Sequence, residues 1–168
     1  MILELMSSRM LILGCGNTLF GDDGFGPAVV EALEDTKHLP AGACALDVGT
    51  SLSELLFDLV LNPQKPDLLL ILDAVDLPGR SPGEVFELAL EQIPDNKQSD
   101  FSMHQFPSIN LLQELRSQGG VEVRILAVQI NQIPEQVRPG LSREVQAALP
   151  LACNKVHQIC NEYFRSIS

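Results

Sequence analysis

Apolar residues recur along this chain in two periods that alternate. Met10 to Gly14 is a short unbroken apolar run and reads as a buried strand. From Phe25 to Lys37 the spacing changes. Phe25, Ala28, Val29, Ala32 and Leu33 return at helical intervals, and Pro27 falls where a first helical turn accepts it. Ala43 to Val48 predicts a second strand and Leu52 to Leu61 a second helix, capped by Thr50 or Ser51. Leu68 to Val75, LLLILDAV, is a continuous apolar run between turn sequences, the mark of a central strand buried on both faces. Glu84 to Leu88 alternates as a half-buried edge strand does, and Pro94 to Phe101 is a polar loop. Ser108 to Gln118 predicts a third helix stopped by Gly119-Gly120, and Val121 to Ile130 a further strand. Gln132 to Gly140 reads as loop, and Leu141 to Ile167 as a long last helix in which Pro150 places a kink.

Strands alternating with helices predict an α/β fold in three layers: a mainly parallel, twisted sheet of about five strands with helices on both faces. The fourth strand follows the third too closely for a helical crossover, so it is expected as an antiparallel edge. The length of 168 residues fits a single domain, 1–168. Sheets of this type bind ligands beyond the carboxyl ends of their strands. Asp22 and Asp23 lie just past the first strand, and Asp73 and Asp76 lie at the end of the third. The expected topology therefore brings separate carboxylates to one rim.

Charge narrows the partners. A net charge of −11 argues against nucleic acid and anionic membranes, both of which need a basic face. No apolar run approaches the length needed to span a bilayer. The start, MILELMSSRM, lacks a cationic segment and a small-residue cleavage site, so a cytoplasmic protein is expected. The four cysteines, Cys15, Cys44, Cys153 and Cys160, form no C-x-x-C pair and read as buried thiols. Cys153 and Cys160 would share one helix face.

The glycine-rich stretch after the first strand, GCGNTLFGDDGFG, is not a nucleotide loop. Leu19 stands where the dinucleotide fingerprint needs glycine, and Asp22 and Asp23 stand where a phosphate loop needs Lys and Ser or Thr. Carboxylates there repel phosphate, so no nucleotide cofactor is expected. The glycines instead permit a tight turn that presents acids at the mouth of the sheet. The helix start that follows would favour an ionised aspartate as a cation ligand. One of the two acids is expected to be structural, and Asp22 is the better candidate. Of three histidines, His38 and His157 fit surface or packing roles, whereas His104 sits in FSMHQF just before the third helix. With Asp23 and Asp73 it completes an O, O, N set that suits a borderline divalent ion such as zinc or nickel.

Taken together, these residues resemble the maturation endopeptidases of nickel–iron hydrogenases. GCGNTLFGDDGFG is similar to that family's opening signature, ILDAVD to its central strand, SMHQF to its later histidine motif, and GLSREVQAALP to the start of its last helix. The resemblance runs from about residue 10 to residue 165. It implies a cytoplasmic hydrolase that removes a C-terminal extension from the hydrogenase large-subunit precursor once nickel is in place. Asp23, Asp73 and His104 would be both metal ligands and catalytic residues, and the nickel would arrive with the substrate. The short acidic chain is similar to members that serve a deazaflavin-reducing hydrogenase of methanogens. Two departures stand out. Val48 replaces a glycine common in the family's D-G-G-T segment, and Asp47 beside it reads either as a further functional acid or as a cap of the second helix. The ten-residue start extends beyond the family's usual beginning. Rival readings are a non-cleaving, nickel-dependent checkpoint or chaperone protein that binds the large subunit, a nucleotide-binding module, and a diverged peptidase with another substrate.

Overall fold

The structure, a computed structural model, describes residues 2–36, 38–93 and 106–168. Five strands form one sheet: β1 (Met10–Cys15), β2 (Ala43–Gly49), β3 (Leu68–Val75), β4 (Val85–Leu88) and β5 (Glu122–Gln129). Their spatial order is β2-β1-β3-β5-β4. All pairings are parallel except that of β4, which runs antiparallel to β5 at one edge. The alternating pattern predicted this mixed sheet, including its edge strand.

The helices are α1 (Ile2–Ser7), α2 (Phe25–Thr36), α3 (Leu52–Leu61), α4 (Phe106–Ser117) and α5 (Arg143–Ser166). They divide the core in two. Leu11, Leu13, Leu69 and Ile71 point to the layer containing α3 and α4. Met10, Ile12, Leu68, Leu70 and Leu72 point to the layer containing α2 and α5. The strict two-residue alternation along β1 and β3, with both faces covered, is why neither strand shows a polar face in the sequence. Among the described residues, no helix is long and apolar enough to cross a membrane.

Several strand ends differ from the pattern-based reading by a residue, and the helix starts show further differences. Helix α4 starts at Phe106 rather than Ser108, so Pro107 lies in its first turn, where the missing N–H costs nothing. Helix α5 begins after Ser142, whose hydroxyl accepts from Val145 N at 3.4 Å, and it is continuous through Pro150. Ser51 occupies the cap position of α3, yet its side chain makes no capping bond. The short α1 was not expected, since six residues are too few to show a period. The polar loop expected at 94–101 lies outside the described residues.

Packing around the glycine stretch is unusually close. A Cβ on Gly26 would lie 2.4 Å from Cys15 O and 2.5 Å from Leu72 O, so α2 rests directly on the backbones of β1 and β3. A Cβ on Gly14 would meet Gly26 O at 2.5 Å. These two glycines set the distance between helix and sheet, and therefore the height at which the turn between them projects.

Candidate functional site

The turn leaves β1 at Gly16, with φ +130°. A side chain there would collide with Asp23 O at 1.8 Å, so glycine is required for the turn to fold back on itself. Residues Gly21–Gly24 then form a single 3-10 turn that leads into α2. Consecutive residues of such a turn project about 120° apart. Asp22 and Asp23 therefore face different surroundings.

Asp22 points inward and is fully buried. Its carboxylate accepts from Ser142 N at 2.7 Å, from the Ser142 hydroxyl at 2.9 Å and from Asn131 N at 2.9 Å. It fastens the turn to the segment between β5 and α5. A short parallel contact adds to this: Gly21 N donates to Arg138 O at 2.9 Å, and Arg138 N to Leu19 O at 2.8 Å.

Asp23 is half-buried and accepts from Asn17 N at 2.8 Å. Burial lifts its carboxyl above the ordinary range, and the Asn17 hydrogen bond offsets part of that rise. The helix start was expected to favour the ionised form; the shift runs the other way, with burial as its largest cause.

Asp73 lies on β3, paired in register with Ala127 of β5, on the α3/α4 face near the carboxyl edge. It is 6% exposed. Burial pushes its carboxyl well above the ordinary range, and the charge on Asp23 pushes it further. Ala74 N, 2.8 Å from Asp73 Oδ1, opposes the shift. The two carboxylates therefore sense each other across the end of the sheet. Cys15, buried at the end of β1, reports the same field. Its thiol is pushed well up, first by burial and then by Asp73, Asp47 and Asp23 in turn.

Asp47 lies two residues before the end of β2 and is exposed, and its Oδ1 accepts from Gly49 N at 2.8 Å. It closes the turn ahead of α3 through Gly49. Val48 sits within β2, and it is Gly49 that takes the left-handed conformation, with φ +53°. Gln129, at the end of β5, was not singled out in the sequence. It is buried, donates to Asp76 Oδ1 at 2.9 Å, and accepts from Leu77 N at 2.8 Å. A lone amide closing an apolar strand was the available signal.

His104 lies outside the described residues. The helix that begins two positions later, α4, packs on the same sheet face as Asp73 and feeds directly into β5. Because β5 is parallel to β3, α4 must start at the carboxyl edge of the sheet. Among the described residues, no set of three His, Cys, Asp or Glu side chains is assembled for a metal, and the site there consists of the carboxylate pair. Two desolvated carboxylates, one of which raises the other's proton affinity, are a place where added positive charge is stabilising. A proton or a divalent cation supplies it.

Three comparisons bear on this arrangement. The family model for HycI-type hydrogenase maturation proteases matches residues 27–159. The hydrogenase 2 maturation protease of Escherichia coli is 35% identical over 150 residues, 88% of each chain. The coenzyme F420 hydrogenase subunit delta of Methanothermobacter thermautotrophicus is 31% identical over 153 residues, 89% of this chain and 92% of that one. Among solved structures, the hydrogenase-maturating endopeptidase HybD of Escherichia coli superposes with a TM-score of 0.72 at 34% identity, covering 92% of this chain and 93% of that one.

Proposed function

The chain belongs to the hydrogenase maturation protease family and is an endopeptidase, and from that premise we propose that its substrate is the nickel-loaded precursor of a hydrogenase large subunit, from which it removes a C-terminal extension. Asp23, Asp73 and His104 together grip the nickel, which belongs to the substrate.

The observation that carries this reading is the carboxylate pair. Asp23 and Asp73 are drawn out of water at the end of the sheet, and each is pushed toward its protonated form. A cation presented by the partner relieves both penalties at once, so the protein has a marked preference for a metal-bearing surface. His104 precedes a helix that starts on Asp73's face and would add a neutral nitrogen donor. A precursor without nickel loses these bonds, and its scissile peptide falls out of register.

Hydrolysis adds water across one peptide bond. The water oxygen bonds to the carbonyl carbon, the C–N bond breaks, and the departing nitrogen takes up a proton. Once the arriving cation favours its ionised form, Asp73, whose carboxyl burial raises strongly, would accept the water's proton as general base. Nickel held beside the scissile bond would polarise the carbonyl.

Mass spectrometry of the precursor, with and without nickel and with and without this protein, tests the proposal. One discrete C-terminal peptide should be lost, only from the nickel-loaded form. Asp23→Asn should reduce that processing at least ~100-fold while leaving the melting temperature within a few degrees of wild type. An intact precursor held in a stable complex would turn the reading toward a checkpoint role. Full processing by Asp23→Asn would remove Asp23 from the site.

A further inference from the structure

A groove of about 510 Å³ runs from the glycine turn along the outer side of α2 toward the start of α5. It begins at Thr18, Gly21 and Gly24, on the turn that carries Asp23, although Asp23 itself does not line it. Its lining contains three carboxylates, Glu31, Glu34 and Asp47, and no lysine, arginine or histidine. Glu31 and Glu34 are exposed on successive turns of α2. Between them and the turn the wall is apolar or backbone, with Pro27, Ala28 and Leu141.

One edge of the groove carries a second, independent feature. The parallel contact between Phe20 and Arg138 joins the glycine turn to the loop before α5. Leu19 and Val137 immediately precede the two bridged residues, and Arg138 N donates to Leu19 O, so the two lie close to this contact. They are 48% and 63% exposed, and Ile133 in the same loop is 41% exposed. An apolar pair left in water beside a one-signed groove is a surface shaped for another chain.

We propose that this groove and its ribbon edge are the docking track for an extended segment of the precursor, with apolar side chains over Leu19 and Val137 and positively charged ones along Glu31, Glu34 and Asp47. The inference rests on the endopeptidase reading above, because both features border the turn that carries Asp23. Charge complementarity selects the occupant. A neutral or acidic segment gains nothing from three carboxylates of one sign, whereas a basic one gains attraction and register. The track acts on binding, not on the bond-breaking step.

Two surface variants separate the contributions: Glu31→Lys with Glu34→Lys, and Leu19→Ser with Val137→Ser. Each is compared with wild type for cleavage of the nickel-loaded precursor and for binding of the same precursor by calorimetry. The charge-reversed variant should raise KM about tenfold at low salt, with kcat unchanged, and the difference should shrink as salt is added. The ribbon variant should raise KM by a similar factor regardless of salt. A precursor whose extension has its basic residues changed to glutamate should bind wild type about tenfold more weakly, a readout independent of how well the variants fold. Unchanged KM and affinity in all three experiments would overturn the track. A shift in this protein's own oligomeric state, with precursor affinity unchanged, would overturn it in favour of a self-association surface. If wild type binds the precursor but cuts nothing, the cleavage reading fails, and the binding data alone still decide the track.

Discussion

A carboxyl group that holds its proton in the folded chain and releases it in the unfolded one makes folding less favourable as pH rises. Asp73 is such a group, because burial and the neighbouring Asp23 both raise it. The unfolded aspartate titrates near about 3.9, so the penalty is absent below that pH and grows toward neutrality. Asp73→Asn removes it. In the metal-free protein the variant should melt about 2–4 °C higher than wild type at pH 7, the gap closing toward pH 4, while processing is lost. Thermal melts across that pH range provide the check, and a variant that melts lower at neutral pH would contradict the account. This trade of stability for chemistry was only partly legible in the sequence. The letters marked Asp23 and Asp73 as candidates at the strand ends. They did not reveal how dry the two sites are, because desolvation depends on β5 and on the closeness of α2, both assembled from distant parts of the chain.

At the scale of elements, the spacing between α2 and the sheet decides where the carboxylates stand. Gly26 sits 2.4 Å, measured from an added Cβ, from a backbone oxygen of β1 and only slightly further from one of β3. Neither neighbour is a flexible side-chain end. Gly26→Ala should therefore push the helix off the sheet and cost about 3 kcal/mol, read as a lower denaturant midpoint. Processing should fall in the surviving folded fraction, because the turn bearing Asp23 moves with α2. Element identity was plain in the sequence wherever an element was long or doubly buried, as in LLLILDAV. Element ends were not. Ser51 precedes α3 without capping it. Local hydrogen-bonding preference yields there to how the helices pack against the sheet.

For the molecule as a whole, the parallel order β2-β1-β3-β5 follows from the right-handed strand–helix–strand units that the periodicity implied. Strand β3 lies at its centre, with β1 on one side and β5 on the other, and is buried along almost its whole length. The backbone amides of Leu69 to Leu72 should be among the slowest to exchange with deuterium, opening only with global unfolding. Amides of the loop from Gln132 to Gly140, exposed and held by few backbone bonds, should exchange orders of magnitude faster. Exchange measured by mass spectrometry or NMR reads both. Comparable rates in the two segments would mean that the loop is part of the rigid body rather than an adjustable wall of the proposed track.

The doubled aspartate of the glycine turn offers no spare part. Two identical side chains stand next to each other, yet one is committed to three donors in the segment before α5, and the other stands toward Asn17 and the end of the sheet. Loss of Asp23 cannot be made good by its neighbour, since turning Asp22 outward would strand the amides of Asn131 and Ser142 in the interior. An evolutionary drift of the turn by a single residue would keep the same letters and lose the arrangement. The pair looks redundant on the page, and the fold gives it two unexchangeable assignments.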